Sequence, residues 1–425
     1  MIGAIADDFT GGTDVAVAFR REGLRTHIFF GVPPDDVERS PSDAVVIALK
    51  SRMTPAPEAV QQSLDALRWL REHGADQIYF KYCSTFDSTP DGNIGPVLDA
   101  LTDAIGAATV ITTPSSPEHL RTQYQGYLFV DMLLLSDSHM RNHPVTPMTD
   151  SYLPRLLRTQ TDATVGLIPH ATVKEGTDSI TAAIAAAETR AEKYILVDAV
   201  DQQDLQAIGR AIQGSSLTAG AAGLAGGLAA AVAAANSTLV GNTTPAQAGA
   251  DREGRAAVLA GSCSARTLEQ IAVMKGQGRP WYQLDAMVDD NPETLAADAL
   301  AWYDALTTSD APLIYSSLNP VELKRVQDAL GIAESAAVLE NATGRIAIGL
   351  VERGVTRIVA AGGETSGAIV TALDVSGGLI GSEAAPGVPW ILTTSGHRIA
   401  LLLKSGNFGG PELLADASAH RSDLA

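Results

Sequence analysis

The chain is poor in cysteine, in aromatic residues and in positive charge. Its 425 residues include only Cys83 and Cys263, too few for a disulfide framework or a four-thiolate metal site. Eight histidines form no HExxH motif. The pair His139 and His143 has helical spacing, but Pro144 follows at once, so two ordinary loop histidines are expected there. Lys and Arg total 30 against 49 Asp and Glu, for a net charge of -19. That balance disfavours nucleic acid and anionic membrane surfaces as partners. No basic leader precedes an apolar run at the start. The stretch from Leu217 to Ala235 lacks bulky apolar residues and reads as a closely packed Gly/Ala turn and helix, not a membrane span. A cytoplasmic location is the expectation, with self-association left open.

What the chain does have is a large apolar fraction, 45% of residues, and a length suited to two domains. Short apolar runs alternate with helical spacing. Strands are expected at residues 2–6, 26–30, 44–49, 77–81, 109–113, 165–168 and 194–197. Helices are expected at 14–22, 57–73, 94–105, 179–191 and 203–213. This rhythm predicts an α/β fold with largely parallel sheets. Residues 114–154 read as irregular, and residues 236–253 as a linker. After the linker a second α/β unit is expected, with strands at 256–260, 281–284, 312–316, 356–361 and 399–403 and helices at 267–275, 292–308 and 342–353. The domains are placed at residues 1–240 and 241–425.

Polar clusters follow several of these strands, at the edge where open α/β sheets bind ligands. Asp7 and Asp8 end the first strand, ahead of Thr10, Gly11 and Gly12. Either carboxylate could accept a proton from a substrate hydroxyl, and the other could bind a hydroxyl or cap the helix. Thr13 or Asp14 as a plain N-cap is the structural alternative. Lys50, Ser51 and Arg52 follow the third strand, and an Arg fork matches a carboxylate. Lys81, Ser84 and Asp87 come after the fourth, with hydroxyls suited to an anionic polyol. Cys83 has no evident histidine partner and is not expected to be a nucleophile. Arg121 opens a further polar stretch.

The second unit carries three Gly- or Ser-rich turns: Gly261 to Ser264, Gly362 to Gly367 and Lys404 to Gly410. Such turns let backbone N–H groups approach phosphates. None is a Walker A loop or a GxGxxG fingerprint.

At these motifs the chain resembles the four-carbon acid sugar kinase family, nearest to its 3-oxo-tetronate kinase branch. The matching stretches are IADDFTGGTDVA, VVIALKSR, QIYFKYCSTFDSTPDGNIGPVLDAL, RTQYQGYLFV, MRNHPVTPMTD, LAGSCSARTLEQI, VAAGGETSGAIV and LLLKSGNFG. His119 and Leu120 stand where relatives tend to have Asn-Gly. The resemblance implies an N-terminal sugar-acid domain, a C-terminal nucleotide domain and an active site in the interdomain cleft. It implies ATP-dependent phosphorylation of the C4 hydroxyl of a 3-oxo-tetronate, with Mg²⁺ and no assigned metal ligands. Asp8 or Asp7 would be the base. Thr10, Lys50, Ser51, Arg52, Lys81, Ser84, Asp87 and Arg121 would hold the acid. Ser262, Ser264, Gly362, Gly363, Glu364, Thr365, Gly406 and Asn407 would hold ATP. Rival readings are a sugar-acid-binding protein or sensor that does not use ATP, and a lyase or dehydrogenase on a related hydroxy acid.

Overall fold

The computed structural model describes residues 1–37, 41–143, 146–236, 239, 254–394 and 396–419. The expected linker lies almost wholly outside the described residues, as do Pro144 and Val145. The chain divides into two compact units, Met1–Asn242 and Thr243–Ala425.

The first unit is built on an eight-stranded sheet. Its strands are β1 (Ile2–Ala6), β2 (Thr26–Phe30), β3 (Ala44–Ala48), β4 (Gln77–Lys81), β5 (Val110–Thr113), β9 (Val165–Ile168), β10 (Tyr194–Val197) and β11 (Leu217–Gly220). They run in the order β2-β3-β1-β4-β11-β5-β10-β9, and every pairing is parallel. All five residues of β1 are buried. That is why IGAIA reads as a continuous apolar run and not as an alternation: helices cover both faces of a parallel sheet.

These helices are α1 (Phe9–Arg21), α2 (Ala56–Glu72), α3 (Ile94–Ile105), α4 (Leu153–Arg158), α5 (His170–Val173), α6 (Thr177–Thr189), α7 (Gln202–Ala211) and α8 (Ala222–Ala235). One core cluster joins Ile5 and Ile47 on the strands to Trp69 and Leu70 of α2 and to Val97, Leu98 and Leu101 of α3.

Three differences from the sequence reading are informative. Helix α1 begins at Phe9, not Asp14, so Gly11 and Gly12 lie inside it. Gly12 is there for packing: a Cβ on it would sit 2.4 Å from the Cβ of Ala48 on β3. The stretch 114–154 is not irregular throughout. It holds a small antiparallel sheet of β6 (Arg121–Tyr124), β7 (Tyr127–Val130) and β8 (Leu133–Leu134). The Gly/Ala-rich stretch from Leu217 supplies β11, an interior strand between β4 and β5, before α8.

The second unit has seven strands: β12 (Arg255–Ala260), β13 (Trp281–Gln283), β14 (Leu313–Tyr315), β15 (Val355–Ala361), β16 (Gly377–Ala385), β17 (Val388–Thr393) and β18 (Ala400–Lys404). Their order is β13-β14-β12-β15-β18-β17-β16. The first five are parallel neighbours, and the β16–β17 hairpin adds antiparallel strands. The helices are α9 (Ala265–Gly276), α10 (Pro292–Asp304), α11 (Pro320–Leu330), α12 (Ile332–Glu352), α13 (Gly363–Ala372) and α14 (Leu413–Ser418). The hairpin and α11 were not expected, and α12 starts ten residues before its expected 342. No helix among the described residues is long and apolar enough to cross a membrane.

Candidate active site

Strand order decides what can meet at the carboxyl edge of the first unit. β1 lies between β3 and β4, and the chain reverses direction across the sheet at this point. Such switch points open a crevice beyond the strand ends. Asp7 follows β1, Arg52 follows β3, and Lys81 ends β4, so three adjacent strands deliver two acids and two bases to one place. The backbone locks this edge: Asp7 N–H donates to the Lys81 carbonyl, and the Asp7 carbonyl accepts from the N–H groups of Ser51 and Arg52 at 2.9 and 3.0 Å.

Arg52 forks onto Asp7 through Nε and Nη2, both at 2.8 Å, and Nη2 also reaches Asp8 Oδ1 at 2.6 Å. Asp8 is the N-cap of α1. Its Oδ1 accepts from Gly11 N–H at 2.8 Å and its Oδ2 from the Thr10 hydroxyl at 2.6 Å. The N-cap is thus Asp8 itself, and neither Thr13 nor Asp14 serves. Lys81 is buried, and its ammonium donates to the Tyr82 carbonyl at 2.9 Å. A Cβ on Gly11 would lie 2.3 Å from Asp8 Oδ1, 3.1 Å from Lys81 Nζ and 3.5 Å from Arg52 Nη2. Only a bare Cα lets these charged ends converge there.

The two carboxylates sit in different surroundings. Burial pushes Asp7 up, and the Arg52 guanidinium pulls it back without fully offsetting burial. Burial acts on Asp8 too, but Arg52, Lys81 and the hydrogen bonds from Thr10 and Gly11 outweigh it and hold Asp8 below the ordinary carboxylate value. The Asp7 side chain is 6% exposed and that of Asp8 25%. Asp7 is therefore the anchor of Arg52, and Asp8 is the acid that a ligand can touch.

The loop after β4 closes around the cluster. Burial pushes the Cys83 thiol up to about 11, with Arg52, Asp87 and Lys81 acting on it. A thiol held so high is not a nucleophile at neutral pH. Asp87 accepts from the Thr85 hydroxyl at 3.0 Å, and Ser84 is half-buried. Buried Phe86 has φ 63, a conformation that a bulky residue adopts only where its surroundings enforce it.

Asn93 opens α3, but its side chain does not cap that helix. Its buried amide donates to the carbonyls of Ser51, Arg52 and Thr54 at 2.8, 3.2 and 3.0 Å. It fixes the loop that aims Arg52. Nothing local in the sequence marks it, because its partners lie about forty positions away.

Not every expected residue joins the cluster. Lys50 is exposed, with its ammonium 5.0 Å from the centre of the Phe9 ring. Arg121 starts β6, and its guanidinium donates to the His119 carbonyl. Burial raises the Asp14 carboxyl on α1, with Lys81 and Asp8 among the neighbouring groups that act on it.

In the second unit β12, β15 and β18 are neighbours, so the three small-residue turns share one edge. Ser264 caps α9, accepting from Thr267 N–H at 3.2 Å and donating to the Gly406 carbonyl at 2.6 Å. The Ser262 hydroxyl accepts from Ser264 N–H. Gly362 has φ 131 and donates its N–H to the Lys404 carbonyl. An added Cβ there would press on Ser262 N at 3.0 Å. Gly363 is not in a turn: it opens α13, whose N-terminus has no side-chain cap. Thr365 is buried, whereas Glu364 and Asn407 are exposed. Hydroxyls, bare backbone and an uncapped helix start suit an anion. Among the described residues no group of three or more His, Cys, Asp and Glu could hold a metal. The donors here, Glu364 and the serine hydroxyls, still fit Mg²⁺, which takes one or two carboxylates together with substrate phosphates.

Both halves match known domain families. Residues 2–228 match a sugar-binding N-terminal domain and residues 257–414 a nucleotide-binding C-terminal domain. Fold and site thus define a two-domain small-molecule kinase. The 3-oxo-tetronate kinase of Brucella melitensis is 43% identical over 96% of this chain and 93% of its own. That of Pseudomonas fluorescens is 43% identical over 98% and 96%. A crystal structure of a Haemophilus influenzae protein superposes with a TM-score of 0.82 at 39% identity, covering 98% of each chain. The chain belongs to the 3-oxo-tetronate kinase family.

Proposed function

We propose that this protein transfers the γ-phosphoryl group of ATP to the C4 hydroxyl of a four-carbon 3-oxo acid. The observation that carries this reading is the partly exposed Asp8 carboxylate, held ionised between Arg52, Lys81 and the start of α1. Residues 1–240 hold the acid, and residues 241–425 hold the nucleotide. Transfer requires the two ligands to be brought together with donor and acceptor oxygens in line.

The roles follow from accessibility and charge. Asp8 orients the C4 hydroxyl and takes its proton as the new P–O bond forms and the bond to the leaving ADP breaks. Its low basicity is no obstacle, because a loose phosphoryl-transfer transition state asks little of the base. Arg52, kept in place by Asp7, and Lys81 offset negative charge on the acid and the migrating group. Ser51, Ser84 and Asp87 surround the acid, and Thr10 steadies Asp8. Lys50 and Arg121 stand outside this cluster, the first over the Phe9 ring and the second on the His119 carbonyl. The turns at Ser262, Ser264, Gly362 to Thr365, Gly406 and Asn407 cradle the phosphates. Mg²⁺, when bound, neutralises phosphate charge. An ATP supply places the enzyme in the cytoplasm.

The test is a screen of four-carbon 3-oxo and 2-hydroxy acids with ATP and Mg²⁺, following ADP release in the wild type, Asp8→Asn and Asp7→Asn. A 3-oxo-tetronate should give the highest kcat/KM. Asp8→Asn should lower kcat about 10²–10⁴-fold, the usual span for a catalytic acid or base. Near-native turnover in Asp8→Asn would remove the base assignment, whatever Asp7→Asn does.

A further inference from the structure

Lysine 404 has a place in the fold that the phosphate-cradling turns alone do not explain. It is the last residue of β18 and is fully buried. Its ammonium donates to Thr267 Oγ1 and Gln270 Oε1 on α9, both at 2.8 Å, and to the Gly406 carbonyl at 2.9 Å. Its own carbonyl accepts the Gly362 N–H at 2.9 Å. Thr267 in turn donates to the Gly406 carbonyl at 2.9 Å and accepts from Ser264. Gln270 passes its amide to the carbonyls of Phe408 and Gly410. Lys404 therefore reaches all three turns: 362 through its own carbonyl, 406 through its ammonium, and 264 through the ammonium's partner Thr267.

We infer that Lys404 is a positioning residue that fixes the shape of the nucleotide-holding edge without touching the nucleotide. All three of its N–H groups are spent on the protein, so none is left for a phosphate. This inference rests on the reading that the second unit holds ATP. A buried ammonium is costly unless every donor is satisfied, and here the three acceptors meet that condition. Burial, with Arg266 as a smaller influence, lowers it to about 8, so the site maintains this arrangement against a real desolvation cost. A methionine at this position would keep the stem but leave Gln270 Oε1 and the Gly406 carbonyl without the ammonium that they now accept from.

The experiment uses the full chain carrying Lys404→Met, which keeps the stem and removes the three donors. ADP binding is measured by titration calorimetry, and KM is measured separately for ATP and for the acid. The expected result is an ADP Kd and an ATP KM raised at least tenfold, with the KM for the acid within twofold of wild type. A merely structural loss would lower the active fraction and leave the ATP KM unmoved. An ADP Kd within twofold of wild type overturns the inference. Should Lys404→Met fail to fold, Thr267→Val removes the link to Ser264; a Kd raised at least threefold supports the inference and an unchanged Kd overturns it. Wild-type protein that binds no ADP would overturn the nucleotide reading and this inference with it. Binding that the variants leave unchanged overturns the inference alone.

Discussion

Gly11 donates its N–H to Asp8 Oδ1 at 2.8 Å, and a methyl group on its Cα would stand 2.3 Å from that same oxygen. The hydrogen bond and the missing side chain are two halves of one device. Alanine is favoured over glycine inside a helix by about 1 kcal/mol, so propensity alone would make Gly11→Ala stabilising. Steric pressure on Asp8 and Lys81 opposes it, and overpacking costs roughly 1–3 kcal/mol. The expected outcome is a folded variant with little net change in Tm and a kcat at least tenfold lower. Thermal melting beside steady-state kinetics checks it. Native kcat would mean that Asp8 can move without harm.

Asp8 also gives a pH signature. Its carboxyl is held below the ordinary value of 3.8 by Arg52, Lys81, Thr10 and Gly11 against the opposing effect of burial. A depressed folded-state value means that the unfolded chain binds the proton more readily, so stability rises with pH in that range. The contribution is present above 3.8 and is lost as pH falls through the folded value. Asp8→Asn should therefore be less stable than wild type at pH 7, and the gap should close in acid below 3.8. Chemical denaturation at a series of pH values measures this. A gap independent of pH would contradict the assigned environment.

Asn93 offers a test of how Arg52 is aimed. Its amide serves three carbonyls of the loop from Ser51 to Thr54. Leaving buried carbonyls unserved costs about 1–3 kcal/mol. Asn93→Ala should lose stability in that range and raise the KM for the acid severalfold, with the ATP KM unchanged. Equal effects on both KM values would place the damage elsewhere.

Cys83 sits beside the charged cluster yet should be chemically quiet. With its thiol pushed up to about 11 by burial, almost none is thiolate at neutral pH. Cys83→Ala should keep kcat within about threefold, the cost being one small side chain and its contact with the Thr85 hydroxyl. Slow alkylation by iodoacetamide at pH 7, quickening towards pH 11, checks the same point from the chemical side.

Much of this was legible in the sequence, for physical reasons. Parallel strands such as IGAIA and AVVIA are buried on both faces and announce themselves as apolar runs. Residues at or just past the strand ends, including Asp7, Asp8, Arg52 and Lys81, fall at the carboxyl edge of the sheet by topology. What was hidden depends on distance in sequence. Gly11 and Gly12 look like a turn, and only the approach of α1 to Ala48 on β3 shows why glycine is needed within a helix. Lys50 and Arg52 look equivalent on paper, but Arg52 turns in to the acids and Lys50 turns out to Phe9. Lys404 reads as the start of a glycine turn. Its role appears only when α9, more than 130 residues earlier, is laid beside it. The hairpin β16–β17 escaped because its Gly- and Ser-rich segment has weak strand character.

The proposed activity is defined by which oxygen receives phosphate, and from what. Wild-type protein should be incubated with ATP, Mg²⁺ and a 3-oxo-tetronate, and the product examined by phosphorus NMR with proton coupling. The expected result is one ADP per product and a phosphate split by the two protons of the C4 methylene. Absence of acid-dependent ADP formation, or phosphate on any other oxygen, would contradict it.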